Sequence, residues 1–321
     1  MEILLAQPRG FCAGVVRAVD IVDRALDIHG APVFVFHEIV HNRHVVDDLR
    51  RRGAIFVDEV ESVPVGAVIV FSAHGVARAV VAAAQARSLR IIDATCPLVA
   101  KVHGQAQRYA RLGRTVIMIG HRGHEEVDGT LGSVDGPILL VSTLSEVAAL
   151  PEIEGPVAYV TQTTLSVDDT RDVIAALRRR YPEIEGPDVN DICYATQNRQ
   201  NSARELAATV DLVLVVGARN SSNSNRLREV ASQTGVPAWL IEDASQIEIS
   251  WLAGARRVGV TAGASAPEHL VVEVTARLMA LGAGSVMEMP GLRESVSFRL
   301  PDEVSDKALA AVRVSSARRT A

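Results

Sequence analysis

IIDATCPLVAKVHGQAQRYARLG, residues 91–113, places a single cysteine, Cys96, directly before a helical pattern, with Pro97 suited to the first helical turn and Gly113 to the stop. The arrangement occurs twice more. QPRGFCAGVVRAVD (7–20) sets Cys12 before an amphipathic run through Val15, Val16, Val19, Ile21, Val22 and Leu26, and DICYATQNRQNSARELAATV (191–210) sets Cys193 before a third. The three cysteines are 84 and 97 residues apart, and a unit of similar length runs on from Cys193 to about Gly284. Within each unit, short Val/Ile-rich runs end in a small or polar cluster, and a helical pattern follows. The runs are PVFVFHEIVHN and GAVIVFSAHGV, then RTVIMIGHRGHEEVDG and VAYVTQTTLSVDDT, then DLVLVVGARNSSNSN and RRVGVTAGASAPEHL. Continuous apolar runs ahead of helices predict parallel βαβ units with helices on both faces.

The repeat is too long for a solenoid. The expected fold class is therefore α/β: three similar small α/β domains with mainly parallel sheets, arranged pseudo-threefold, as a trefoil, around a central cavity. The lobes are expected at 1–96 (Cys12, His41, His74), 97–193 (His124, Glu126, Thr163) and 194–300 (Ser221, Asn223, Ser265). Residues 301–321 read as a C-terminal extension with a frayed end.

The 321 residues are 48% hydrophobic but only 4% aromatic, so the cores must be built from Val, Ile, Leu and Ala. A net charge of −5 and the lack of a Lys/Arg block argue against a nucleic-acid surface. No apolar run reaches the length of a membrane span, and MEILLAQPRG has no basic leader, so the expected location is cytoplasmic. Three cysteines without a C-x-x-C argue against a disulfide framework, a thioredoxin-like motif and most zinc ribbons.

In parallel sheets ligands bind beyond the carboxyl ends of the strands. The polar clusters and the cysteines all fall at that edge, so three domains facing one axis would bring them to one cavity. Three thiolates there suggest a 4Fe–4S cluster with one iron open, able to act as a Lewis acid while the cluster supplies electrons. Small buried apolar cysteines, or zinc held by three Cys and one His, are the competing readings. His41, His74 and His124 each follow a strand and suit a metal, a phosphate or a structural role.

NSSNSN (220–225) and GASAP (263–267) offer hydroxyls and amides at helix starts, where an anion is favoured and where plain N-capping uses the same residues. Neither a P-loop nor a G-x-G-x-x-G motif is present. The cavity thus reads as built for a small phosphorylated ligand with few Lys or Arg partners. Glu126, buried beside such a centre, could hold a proton for delivery. Thr163 and Thr164 could relay it or orient a hydroxyl, or simply cap a helix. No flavin or nicotinamide motif is visible, so electrons must come from outside. An iron–sulfur sensor without turnover and a zinc hydrolase of phosphorylated metabolites are the rival functions.

The ordered set PRGFCAG, HEIVHN, FSAHGV, DATCPLV, GHRGHEEVDG, TQTTLSVDDT, DICYATQNRQ, NSSNSNRL and VTAGASAP closely resembles the LytB family of 4-hydroxy-3-methylbut-2-enyl diphosphate reductases over residues 1–300. The resemblance implies a three-lobed α/β fold around a 4Fe–4S cluster. It also implies the last step of the non-mevalonate isoprenoid route, the reductive dehydroxylation of an allylic diphosphate alcohol to isopentenyl and dimethylallyl diphosphate. Carried over, Cys12, Cys96 and Cys193 would hold the cluster. His41, His74, Ser221, Ser222, Asn223 and Ser265 would bind the diphosphate. His124 would hydrogen-bond near the hydroxyl and the diphosphate, Glu126 would donate the proton, and Thr163 would link it to the alcohol. Reduced ferredoxin or flavodoxin would supply the electrons.

Overall fold

The computed structural model describes residues 1–187 and 191–310. After β1 (Glu2–Leu5), strands and helices mostly alternate. The first stretch carries α1 (Ala13–His29), β2 (Val33–Phe36), α2 (Arg43–Arg52), β3 (Ala54–Val57), β4 (Val68–Phe71), α3 (Arg78–Ala86) and β5 (Arg90–Asp93). Next come α4 (Pro97–Arg111), β6 (Thr115–Ile119), α5 (Glu125–Leu131), β7 (Ile138–Val141), α6 (Leu144–Ala148), β8 (Val157–Thr161) and α7 (Val167–Arg180). The last are α8 (Tyr194–Ala207), β9 (Leu212–Val216), α9 (Ser222–Ser232), β10 (Ala238–Ile241), β11 (Arg257–Ala262), α10 (Glu268–Ala280) and β12 (Ser285–Glu288). Among the described residues, β4 follows β3 and β11 follows β10 without an intervening α-helix, and α8 follows α7 without an intervening strand.

The strands form three sheets, in the orders β3-β2-β4-β5, β7-β6-β8 and β10-β9-β11-β1-β12. Every strand pair is parallel, as the sequence predicts. The five-stranded sheet lies in one compact unit, made of Met1–Cys12, Thr163–Arg171 and Ile192–Val296. The other two sheets lie in a second, made of the described residues among Ala13–Gln162, Asp172–Asp191 and those from Ser297 to residue 310.

Each of the six apolar runs forms a strand buried along essentially its whole length: β2, β4, β6, β8, β9 and β11. The sequence reading missed β1, β3, β5, β7, β10 and β12. These are four-residue strands, mostly at sheet edges and incompletely buried, so they lack the continuous apolar signature of a strand covered on both faces. β8 lies at the end of its sheet, yet Glu185 covers its outer edge: Tyr159 N donates to Glu185 O (2.8 Å) and Glu185 N to Val157 O (3.1 Å).

Alternation along β9 shows how a two-sided core is built. Leu212, Leu214 and Val216 pack with Val258, Val260, Leu270, Val274 and Leu278 on one face. Val213 and Val215 pack with Ala203, Leu206 and Leu227 on the other. Fully burying one such side chain contributes about 1.5–3 kcal/mol, so aliphatic layers suffice where aromatics are few. The extension is anchored over its described part, up to residue 310, and the frayed end expected from sequence lies outside the described residues. Val304 is fully buried, Arg17 of α1 donates to Arg299 O (2.8 Å), and Arg24 pairs with Asp306 (2.5 Å).

Two glycines hold open the space at the start of α9. A Cβ added at Gly217 after β9 or at Gly263 after β11 would collide with Ser224 Oγ. Gly263→Ala is expected to destabilise the protein by about 1–3 kcal/mol through overpacking, read as a lower midpoint in denaturant. An unchanged midpoint would show that this close approach is not needed.

Candidate active site

In the unit with two sheets, three histidines predicted from sequence come together. His41 ends the turn after β2, and Asn42 then caps α2, its Oδ1 accepting from His44 N (3.0 Å) and Val45 N (3.3 Å). His74 follows β4, just before Gly75. Gly75 has φ +77°, and a Cβ there would press on His103, so only glycine fits. His124 follows β6 and caps α5, its Nδ1 accepting from Glu126 N (3.1 Å). The His41 and His74 rings stack at 4.1 Å, and His124 stands edge-on to both, at 5.5 and 5.8 Å.

Carboxylates orient these rings, and the sequence reading did not single them out. Glu125 Oε2 lies 2.8 Å from His74 Nδ1, which also faces Ser72 Oγ at 3.4 Å, and Glu125 Oε1 lies 3.2 Å from His37 Nδ1. Glu38 Oε2 accepts from His41 Nδ1 (3.2 Å). With Nδ1 turned onto a carboxylate, the ring nitrogen left to meet a ligand on His41 and His74 is Nε2. His124 has the opposite tautomer: its Nδ1 is an acceptor, so a neutral ring carries its proton on Nε2 and presents a donor.

The charges follow from burial and these bonds. Burial, reinforced by His74 and His41, pushes the His124 pKa down to about 3. Burial and the neighbouring His41 also lower His74, which therefore donates to Glu125 as a neutral ring. The interaction with Glu125 raises His37 against the opposing effect of burial. Burial alone would raise Glu125, but its bonds to His37 and His74 outweigh that and keep it ionised. His41, His74 and Glu125 offer ligand atoms within 4.8 Å of one another, a set of the kind that holds a divalent ion.

Cys96 belongs to the same unit. It is the N-cap of α4 with Pro97 behind it, and its N–H donates to Ala73 O (3.0 Å), the residue before His74. Glu126 is 2% exposed, in the first turn of α5, so its carboxyl is held away from bulk water.

The other unit contains Cys12, Cys193, Thr163, Ser221, Ser222, Asn223 and Ser265, and a line of hydrogen bonds joins Cys12, Asn223, Cys193 and Thr163. Cys12 N donates to Ala264 O (3.2 Å), and Ala264 N donates to Asn223 Oδ1 (2.9 Å). Asn223 Nδ2 donates to Thr196 Oγ1 (3.4 Å), which lies 3.2 Å from Cys193 Sγ. Cys193 caps α8, its Sγ accepting from Thr196 N (3.4 Å), while its N–H donates to Thr163 O (3.1 Å). Ser221 caps α9, and Ser222 Oγ donates to Thr164 O (3.3 Å). Ser265, directly after Ala264, is 7% exposed. Thr196 was missed by the sequence reading. Its spacing of three from Cys193, the span of a cap bond, was the available signal.

None of the cysteines forms a disulfide, and each is partly exposed. Cys96 and Cys193 are helix N-caps, and Cys12 directly precedes α1. Thiol sulfur at a helix start, where backbone N–H groups favour negative charge, is a donor set that fits thiolate ligation of iron. No helix among the described residues is long and apolar enough to cross a membrane.

Comparisons with known proteins agree on one family. The LytB protein family matches residues 3–279. The chain is 59% identical over 306 residues to 4-hydroxy-3-methylbut-2-enyl diphosphate reductase 2 of Bradyrhizobium diazoefficiens, covering 95% of this chain and 99% of the relative. It is 60% identical over 307 residues to the 4-hydroxy-3-methylbut-2-enyl diphosphate reductase of Bordetella pertussis, covering 95% and 94%. Among solved structures, the E-1-hydroxy-2-methyl-but-2-enyl-4-diphosphate reductase from Plasmodium falciparum superposes with a TM-score of 0.90 at 33% identity, covering 98% of this chain and 99% of that one.

The cap geometry sets an expectation for His124. A histidine pKa pushed below its ordinary value contributes stability that is complete above about pH 6.5 and fades as pH falls toward the lowered value. Nitrogen-15 NMR should find His124 neutral, with its proton on Nε2, from neutral pH down through about pH 5. An imidazolium signal at about pH 6 would contradict the assigned tautomer and burial.

Proposed function

The chain belongs to the LytB family, and we propose on that premise that it catalyses the reductive dehydroxylation of (E)-4-hydroxy-3-methylbut-2-enyl diphosphate to isopentenyl and dimethylallyl diphosphate. This is the last step of the non-mevalonate isoprenoid route. The observation that carries the reading is likeness to named reductases along nearly the whole of both chains. The chain is accordingly an iron–sulfur protein. Our finer reading is that Cys12, Cys96 and Cys193 hold a 4Fe–4S cluster with one iron lacking a protein ligand. When bound, the cluster supplies electrons and Lewis acidity toward the leaving hydroxyl.

The chain's own residues do the rest. His41 and His74, steadied through Nδ1 by Glu38 and Glu125, turn Nε2 to the diphosphate. Ser221, Ser222 and Asn223 at the start of α9, with Ser265 after β11, add hydroxyl and amide partners where the helix end favours negative charge. His124 donates its Nε2 proton near the substrate hydroxyl. Glu126 delivers a proton to that hydroxyl, so that it departs as water rather than hydroxide, and Thr163 links the acid to the alcohol. The burial of Glu126 keeps the proton from exchanging freely with solvent during transfer. Two electrons come singly from a separate donor, reduced ferredoxin or flavodoxin, and a second proton, supplied by the diphosphate, goes to carbon to form either product.

Protein purified without oxygen should consume the diphosphate alcohol in an assay driven by a one-electron reductant. Glu126→Gln should keep iron content and substrate affinity while kcat falls roughly 10²–10⁴-fold, the scale of a lost general acid. Unchanged turnover in that variant would remove Glu126 from the proton-donor role.

A further inference from the structure

The carbonyl pairs just ahead of Cys12 and Cys96 are each held by an arginine that the reaction as described does not use. In the unit with one sheet, Arg199 of α8 is 1% exposed in its side chain, and all three guanidinium nitrogens donate. Its Nε and Nη2 reach Gly10 O (3.0 and 2.8 Å), and Nη2 also reaches Phe11 O (3.2 Å), so both carbonyls preceding Cys12 end on it. Its Nη1 donates to Ala195 O (3.1 Å), in the first turn behind Cys193. Glu294 closes the charge, accepting from Arg199 at 3.0–3.2 Å and from Asn198 Nδ2 at 3.0 Å.

The unit with two sheets repeats the device. Arg17 of α1 donates through Nη1 to Ala94 O (3.2 Å) and Thr95 O (3.0 Å), the two carbonyls preceding Cys96. Its Nε donates to Arg299 O (2.8 Å) in the C-terminal segment. Both clamps are thus closed by chain beyond β12, Glu294 in one unit and Arg299 in the other.

We propose that Arg199 and Arg17 are positioning residues for the cluster ligands. Each guanidinium fixes the peptide planes that carry a cysteine into its helix start, and so sets where the sulfur stands. The inference rests on the reading that these cysteines hold the cluster. Arg199 spans its two carbonyls with Nε and Nη2 while Nη1 holds Ala195 O, and Arg17 reaches its two with Nη1 while Nε holds Arg299 O, so each guanidinium ties three main-chain oxygens from nitrogens fixed in one plane. A lysine keeps the charge but not that geometry, so Arg→Lys separates positioning from electrostatics. A role in packing alone would appear in the apoprotein. A role in positioning appears in the cluster.

Arg199→Lys and Arg17→Lys proteins are to be reconstituted without oxygen beside the parent protein. The readouts are apoprotein melting temperature, iron loss to a chelator and the EPR spectrum of the reduced cluster. Both variants should hold the apoprotein fold. Both should also lose iron about tenfold faster, the lower end of the effect of removing support behind metal ligands, with altered EPR g-values. Iron loss and spectra unchanged in both variants would overturn the proposal. If Arg199→Lys does not fold, Arg17→Lys, which is only half-buried, decides it on the same criteria. A parent protein that takes up no iron and sulfide would instead overturn the cluster reading, and this proposal with it.

Discussion

The first turn of a helix leaves backbone N–H groups with no partner inside the helix, and the residues we propose for the site stand where that deficit lies. Cys96, Cys193, His124 and Ser221 are all N-cap residues, Cys12 directly precedes α1, and His41 directly precedes the cap of α2. A parallel sheet enforces the pattern, because each strand must be followed by a crossover, usually a helix, before the next strand can pair. Strand ends and helix starts then share one edge of the sheet. Sulfur, imidazole and hydroxyl groups set at that edge are steered by main-chain donors, as in the bonds from Thr196 N to Cys193 Sγ and from Glu126 N to His124 Nδ1.

The histidine cluster solves an electrostatic difficulty on our reading of the site. Fixed lysines or arginines would draw in any anion. Burial instead holds His74 and His124 neutral, and ionised Glu125 and the side chain of Glu38 take the Nδ1 side of His74 and His41. Positive charge on the Nε2 side can then develop in response to the phosphate that needs it. The ionised Glu125 is tolerated in a half-buried setting because His37 shares it.

The legible part of the sequence was the part with a period. Six apolar runs marked six strands, and a lone cysteine preceded each of three helices, α1, α4 and α8. Four-residue edge strands such as β7 and β12 have too few positions to show a pattern. The pairing of β1 with β11 and β12 spans most of the chain and has no local signal at all. Among the proposed site residues, His41, His74 and His124 stood out because each followed a strand at the same architectural point. Glu38, Glu125, Arg199 and Glu294 did not, because an acidic or basic residue in a loop or helix is ordinarily solvated. Only the partner, revealed by folding, shows that Arg199 is buried and Glu125 divided between two rings.

The central claim is that Cys12, Cys96 and Cys193 bind one cluster and leave one of its irons without a protein ligand. Mössbauer spectroscopy of protein reconstituted without oxygen with isotopically enriched iron addresses it directly. The account predicts three irons of a 4Fe–4S centre in all-sulfur surroundings and a fourth, distinct site whose signal shifts when the diphosphate alcohol is added. Four equivalent irons indifferent to the substrate, or no cluster signal at all, would contradict it.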